Sequence, residues 1–167
     1  MLSLYLLRHV QVFKNLDETH LIKLRPFCEE LEFRGETKLF TEGDPAEHLW
    51  CIVEGHVDLR FEMPDGRSTS TKHTVSSVEV KDKASESMIL GWSCFVPPYK
   101  MRLSAYCVTD PVKIIRVSKQ DLFRLFEEDS RMGYLFMSYM IKVVGYRFHQ
   151  FQDYVAKHMG ESLISGW

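Results

Sequence analysis

The sequence has little of what marks a membrane-spanning, secreted or nucleic-acid-binding chain. No apolar run reaches the roughly 18–20 residues that a membrane span requires. The apolar leader Met1–Arg8 lacks the basic start and cleavage site of a secretory signal. Only four cysteines occur in 167 residues, at 28, 51, 94 and 107, with no CxxC pair among them. That spacing excludes a disulfide framework and implies four reduced thiols in a cytoplasmic protein. Seven histidines are present but form no HxH or HxxxH pair, so no metal site is expected. Basic residues number 21 against 23 acidic ones, a net charge of −2 that lacks the basic footprint of a nucleic-acid-binding domain.

What is present is an ordinary globular composition, 45% hydrophobic and 26% charged, which excludes a disordered chain. The length fits one domain. Residues 1–28 read as helical. Leu4, Leu7, Val10 and Phe13 form an apolar stripe, and Asn15-Leu16-Asp17 offers a cap ahead of Leu21, Ile22 and Leu24. From 29 to 117 the texture changes to about eight short strands. Turn signals recur roughly every ten residues there, as in an all-β sandwich or barrel. Leu49–Val53 is a buried run, whereas Val57, Leu59 and Phe61 alternate with Asp58, Arg60 and Glu62 and so predict one wet face. Pro64-Asp65-Gly66 is a hairpin turn, and 81–87 a loop. Period 3.6 returns over 118–156. Ser118 through Asp121 starts a short helix, and Asp129-Ser130 starts a long one carrying a wide aromatic stripe from Met132 to Val155. Residues 157–167 read as a tail. A stripe that broad exceeds what one barrel face needs, and a second copy of the chain is its simplest cover.

One stretch is specific. Phe40-Thr41-Glu42-Gly43-Asp44-Pro45, running on through Leu49-Trp50-Cys51-Ile52-Val53-Glu54-Gly55-His56-Val57, resembles the cyclic nucleotide-binding domain family. In that family Gly-Asp is followed by an aromatic residue, Ile, two variable residues, Gly and Val. Gly43 and Gly55 sit where strands must reverse, which favours a residue free to take positive φ. The flanks Val12–Asp17 and Ile114–Leu122 match the same family, so the resemblance spans about residues 10–150. It implies a mainly β fold, a double-stranded β-helix (jelly-roll) barrel with N-terminal helices and a short plus a long C-terminal helix. The domain would run over 1–156 as a stand-alone member of bacterial type. The related activators carry a DNA-binding helix-turn-helix after the long helix; here only Met159–Trp167 follow, so direct DNA binding is not expected.

Function in the family lies in a phosphate cassette, and the resemblance places it at Ile89–Ala105. A strand, Phe-Gly-Glu, a short helix and Pro-Arg-Ala-Ala-Thr receive the cyclic phosphate on backbone amides and an arginine, while the Glu accepts the ribose hydroxyl proton. Gly91 keeps the glycine. Trp92 stands at the Glu position, and an indole donates but does not accept. Counting back from Thr109-Asp110 puts Met101 at the arginine position; Arg102 takes that role if the loop through Pro97-Pro98 is one residue longer. The candidate ligand-binding residues are Gly91, Trp92, Ser93, Cys94, Arg102, Leu103 and Ser104. Cys94, near a helix start, is also a candidate for a lowered thiol pKa. The resulting expectation is a non-enzymatic sensor with no catalytic residue, metal or cofactor. Its ligand would be a cyclic nucleotide (cAMP or cGMP) or another small anion, bound weakly or with altered choice. Output would pass to a protein partner or a homodimer through the long helix. The alternative is a degenerate jelly roll used only for protein contacts.

Overall fold

The computed structural model describes residues 2–62, 74–79 and 88–165. The hairpin turn expected at 64–66 and the loop expected at 81–87 lie outside the described residues. Eight strands form two antiparallel four-stranded sheets: β1 (Cys28–Phe33), β2 (Lys38–Phe40), β3 (His48–Glu54), β4 (His56–Arg60), β5 (Thr74–Glu79), β6 (Ile89–Leu90), β7 (Ser104–Cys107) and β8 (Val112–Ser118). Their orders are β1-β8-β3-β6 and β2-β7-β4-β5. This is the jelly roll that the turn rhythm and the resemblance imply.

The period-2 rule explains why β3 is buried on both faces. Leu49 and Cys51 pack with the helices, while Trp50 and Ile52 pack between the two sheets. In β8, Ile115 and Val117 face the helices and Val112 and Ile114 face the barrel interior. The first sheet therefore separates two cores, one inside the barrel and one under the helices.

The second core is built by α1 (Leu4–His9), α2 (Glu18–Leu24), α3 (Lys119–Glu128) and α4 (Ser130–Ser165). Their starts follow the capping residues in the sequence. Asp17 accepts from the His20 amide, with the His20 ring returning to the Asp17 amide; Ser118 accepts from the Asp121 amide; Asp129 accepts from the Met132 amide. Leu7, Phe13, Leu21, Leu122 and Phe136 are fully enclosed there.

Three expectations are corrected. Ile22 is 48% exposed, off the buried face that Leu21 and Leu24 share. Asp58 does not lie on a wet face: it is 5% exposed, because β5 supplies the hydroxyls of Ser77 and Thr74 and β4 supplies Arg60 in place of water. Finally, α4 is continuous to Ser165, through most of the segment read as a tail. That segment contains no proline, and one interior glycine (Gly160) costs only about 1 kcal/mol.

Candidate functional site

Between the mouth of the barrel and α4 lies a cavity of about 300 Å³. One wall is the segment from β6 to β7, and its shape begins at Gly91. This residue sits at φ +77°, and a side chain there would drive a Cβ to 2.5 Å from the His48 carbonyl oxygen. Only glycine fits, because positive φ and backbone contact exclude a Cβ together. A short 3-10 helix, Trp92–Phe95, follows at once. Trp92 and Ser93 line the cavity.

The chain then returns to the barrel along a second latch. The Gly43 amide donates to the Met101 carbonyl (2.8 Å), the Met101 amide to the Asp44 carbonyl (2.8 Å), and the Ala46 amide to the Tyr99 carbonyl (2.8 Å). The Gly-Asp turn at 43–44, with Gly43 at φ +90° and the Asp44 carboxylate accepting from the Thr41 amide, thus fixes the orientation of Met101 and its neighbour. Met101 is 5% exposed and Arg102 exposed. Both line the cavity, the enclosed Met101 thioether from within and the exposed Arg102 at its rim. Arg102 makes no hydrogen bond or ion pair with a described residue.

The seven candidates from the sequence therefore separate. Gly91, Trp92, Ser93, Arg102 and Leu103 all line the cavity. Cys94 and Ser104 do not. Cys94 is fully buried in the helix-side core, and its thiol is pushed up to about 12 by burial, the nearby charge of Lys119 pulling the other way without prevailing. It is a packing residue and not an activated thiol. Burial also pushes Cys28 up to about 12 and Cys107 up to about 11. The Ser104 hydroxyl is committed elsewhere, accepting from the Glu42 amide and donating to Glu62.

The opposite wall comes from α4 and β5, which sequence reasoning missed. Val144, Arg147, Phe148, Gln150 and Phe151 of α4 line it together with Val75 and Ser76 of β5. Arg147 is 7% exposed. Its guanidinium donates to the Ser76 hydroxyl, to Gln150 Oε1 (2.9 Å) and to the Ile89 carbonyl (3.3 Å). Burial pulls its pKa down to about 10, which still leaves it charged at neutral pH. Ile89 is two residues before Gly91, so Arg147 ties α4 to the root of the cassette. The signal in the sequence was a cation set within an apolar helix stripe, between Val144 and Phe148.

The lining is mostly apolar and aromatic, and among the described residues it contains no carboxylate. No cluster of described residues could hold a metal ion, and no described helix is long and apolar enough to cross a membrane. The arrangement can enclose a small molecule. Its two cations sit at different depths, one inside and one at the rim.

Comparison with known proteins agrees with this geometry. The family model described as "Cyclic nucleotide-binding domain" matches residues 30–129. None of the curated proteins compared with the chain matches it. Among solved structures, a putative cyclic nucleotide-binding protein from Geobacter metallireducens GS-15 is similar, with a TM-score of 0.70 and 26% identity over 89% of this chain and 100% of that one. A cyclic nucleotide-binding domain from Methylobacillus flagellatus KT superposes with a TM-score of 0.71 at 18% identity, covering 93% of this chain and 81% of that one. The regulatory domain of Toxoplasma gondii PKA, solved with cAMP, gives 0.64 at 13% identity over 85% of this chain and 48% of that one. The last two likenesses, below 25% identity, concern the fold.

Proposed function

The chain belongs to the cyclic nucleotide-binding domain family, and from that premise we propose that it works as a non-enzymatic sensor in a reducing, cytoplasmic setting. A small ligand enters the cavity at Gly91–Leu103, and α4 carries the response. The observation behind this reading is that one 300 Å³ hollow has the cassette as one wall and α4 as the other. Filling it changes contacts on both at once. The cassette is divergent. With Trp92 in the acid's place and Met101 in the arginine's, cAMP or cGMP loses two charge-assisted contacts, each worth about ten- to a hundred-fold in affinity.

The test is hydrogen–deuterium exchange together with thermal unfolding, with and without millimolar cAMP or cGMP. A small rise in Tm and added protection over 144–151 are expected. A nucleotide that raises Tm while leaving α4 exchange unchanged would overturn the coupling. If neither observable responds to either nucleotide, cyclic nucleotides drop out as ligands.

The second reading, a jelly roll used for protein contacts, is favoured by one feature of α4. Tyr134, Ile141 and Phe148 recur every seven residues and are 72%, 71% and 58% exposed. A seven-residue apolar repeat is the seam of a helix pair. We assign this face to a homodimer, which is compatible with sensing because Phe148 belongs both to the face and to the cavity wall. Ile141→Asp is expected to convert a dimer to a monomer in sedimentation equilibrium while leaving Tm of the monomer unit within about 2 °C, since the side chain is 71% exposed within its own chain. A wild-type chain that sediments as a monomer at every concentration would remove the assignment. Direct DNA contact has no part in this proposal; the output is a partner protein or self-association.

A further inference from the structure

We propose that the cavity is a receptor for a monoanionic carboxylic acid with an apolar body, its carboxylate met by Arg147 of α4 and not by a cassette arginine. This rests on the sensor reading above and names its ligand class.

Three observations carry it. The first is the character of the lining. Phe40, Leu59, Leu90 and Met101 form the interior, Phe148 and Phe151 the mouth, and no described lining residue is acidic. Such a wall rewards a ligand that sheds its water, and offers a ribose few acceptors. Of the polar groups in the wall, the Ser76 hydroxyl and the Gln150 amide are already engaged in holding Arg147, and Ser76 also donates to Gln150 (2.7 Å). A sugar, with several hydroxyls to satisfy, is a poor occupant. A single-headed acid is a good one.

The second observation is the position of the charge. Arg147 lies in the wall at 7% exposure, whereas Arg102 stands at the rim in water. An ion pair strengthens as the local dielectric falls, so the deeper cation dominates recognition of a bound anion. Its planar fork matches a carboxylate.

The third is mechanical. Arg147 belongs to α4, and one of its bonds ends on the Ile89 carbonyl at the foot of the cassette. A carboxylate arriving at the guanidinium competes with the Ser76 and Ile89 bonds, which join α4 to the barrel, and with the Gln150 bond within α4. Ligand binding and re-seating of α4 then become one event at one side chain.

The experiment is calorimetric titration of the full chain with octanoate, 1-naphthoate, octan-1-ol and cAMP, using the wild type, Arg147→Gln, Arg147→Lys and Arg102→Ala. Octanoate is expected to bind at least about ten-fold more tightly than octan-1-ol, the advantage of one charge-assisted contact. Arg147→Gln removes that advantage while the alcohol binds as before, which shows the cavity intact. Arg147→Lys retains part of it, and Arg102→Ala all of it. The comparison of octanoate with 1-naphthoate distinguishes an aliphatic from an aromatic body. Equal affinity for acid and alcohol, loss of the advantage in Arg102→Ala, or tighter binding of cAMP than of either acid overturns the proposal and leaves the sensor reading standing. The acid–alcohol comparison on the wild type holds even if Arg147→Gln fails to fold. If no compound binds at all, the sensor reading falls with it.

Discussion

Replacing Trp92 by Glu and Met101 by Arg is expected to raise the affinity for cAMP by about 10²–10⁴-fold, measured by calorimetry against the wild type and both single variants. Each substitution restores one charge-assisted contact of the family's cassette, at about 1.5–3 kcal/mol apiece, or about ten- to a hundred-fold. Both positions already face the hollow. Met101 is held inward by the two backbone bonds to Gly43 and Asp44, which a longer side chain leaves untouched because they involve only main-chain atoms. The two new groups touch different parts of the ligand, the phosphate and the sugar, so their effects combine. A double variant with an intact unfolding transition and unchanged affinity would mean that the segment from Gly91 to Leu103 does not seat a sugar phosphate.

Phe136→Ala is expected to cost about 3–5 kcal/mol of stability and to lower Tm by about 6–20 °C for a chain of this size. Phe136 is fully buried at the meeting point of four elements. Its ring lies 6.2 Å from Phe13 of the N-terminal 3-10 turn, 5.9 Å from Phe95 of the cassette and 5.0 Å from Phe126 of α3. Truncation leaves a cavity that none of these can close alone, because each is fixed by its own element. Differential scanning calorimetry measures it directly. A loss below about 2 °C would show that α4 is docked by something other than this cluster.

How far the sequence anticipated this depends on whether a feature is local. The barrel came through because strand period and turn residues act over a few positions: Gly43 and Gly55 do take positive φ, at +90° and +97°. The helix starts at Asp17, Ser118 and Asp129 came through for the same reason, a side chain reaching an amide three residues on. Of the seven candidate residues five line the cavity, whereas Cys94 turns from the short 3-10 helix into the helix-side core and the Ser104 hydroxyl is taken by Glu42 and Glu62. Arg147 was hidden because its role is set by how α4 crosses the barrel. That crossing depends on Phe136, Phe95 and Phe126 meeting in space, and no short window contains them together. The exposed Arg102 drew attention as the nearest arginine to the cassette, although the buried cation arrives from 45 residues later in the chain.

The length of α4 has a consequence for distance. From Phe136 to Ser165 the helix extends about 43 Å at 1.5 Å per residue, with Phe136 clamped near one end. A rotation of about 5° at that clamp sweeps the far end through about 4 Å, roughly three-quarters of the pitch of one helical turn. In the proposed sensor, a shift of about 1.4 Å where Arg147 grips the barrel, about 16 Å from the clamp, is magnified more than two-fold at the far end of the helix.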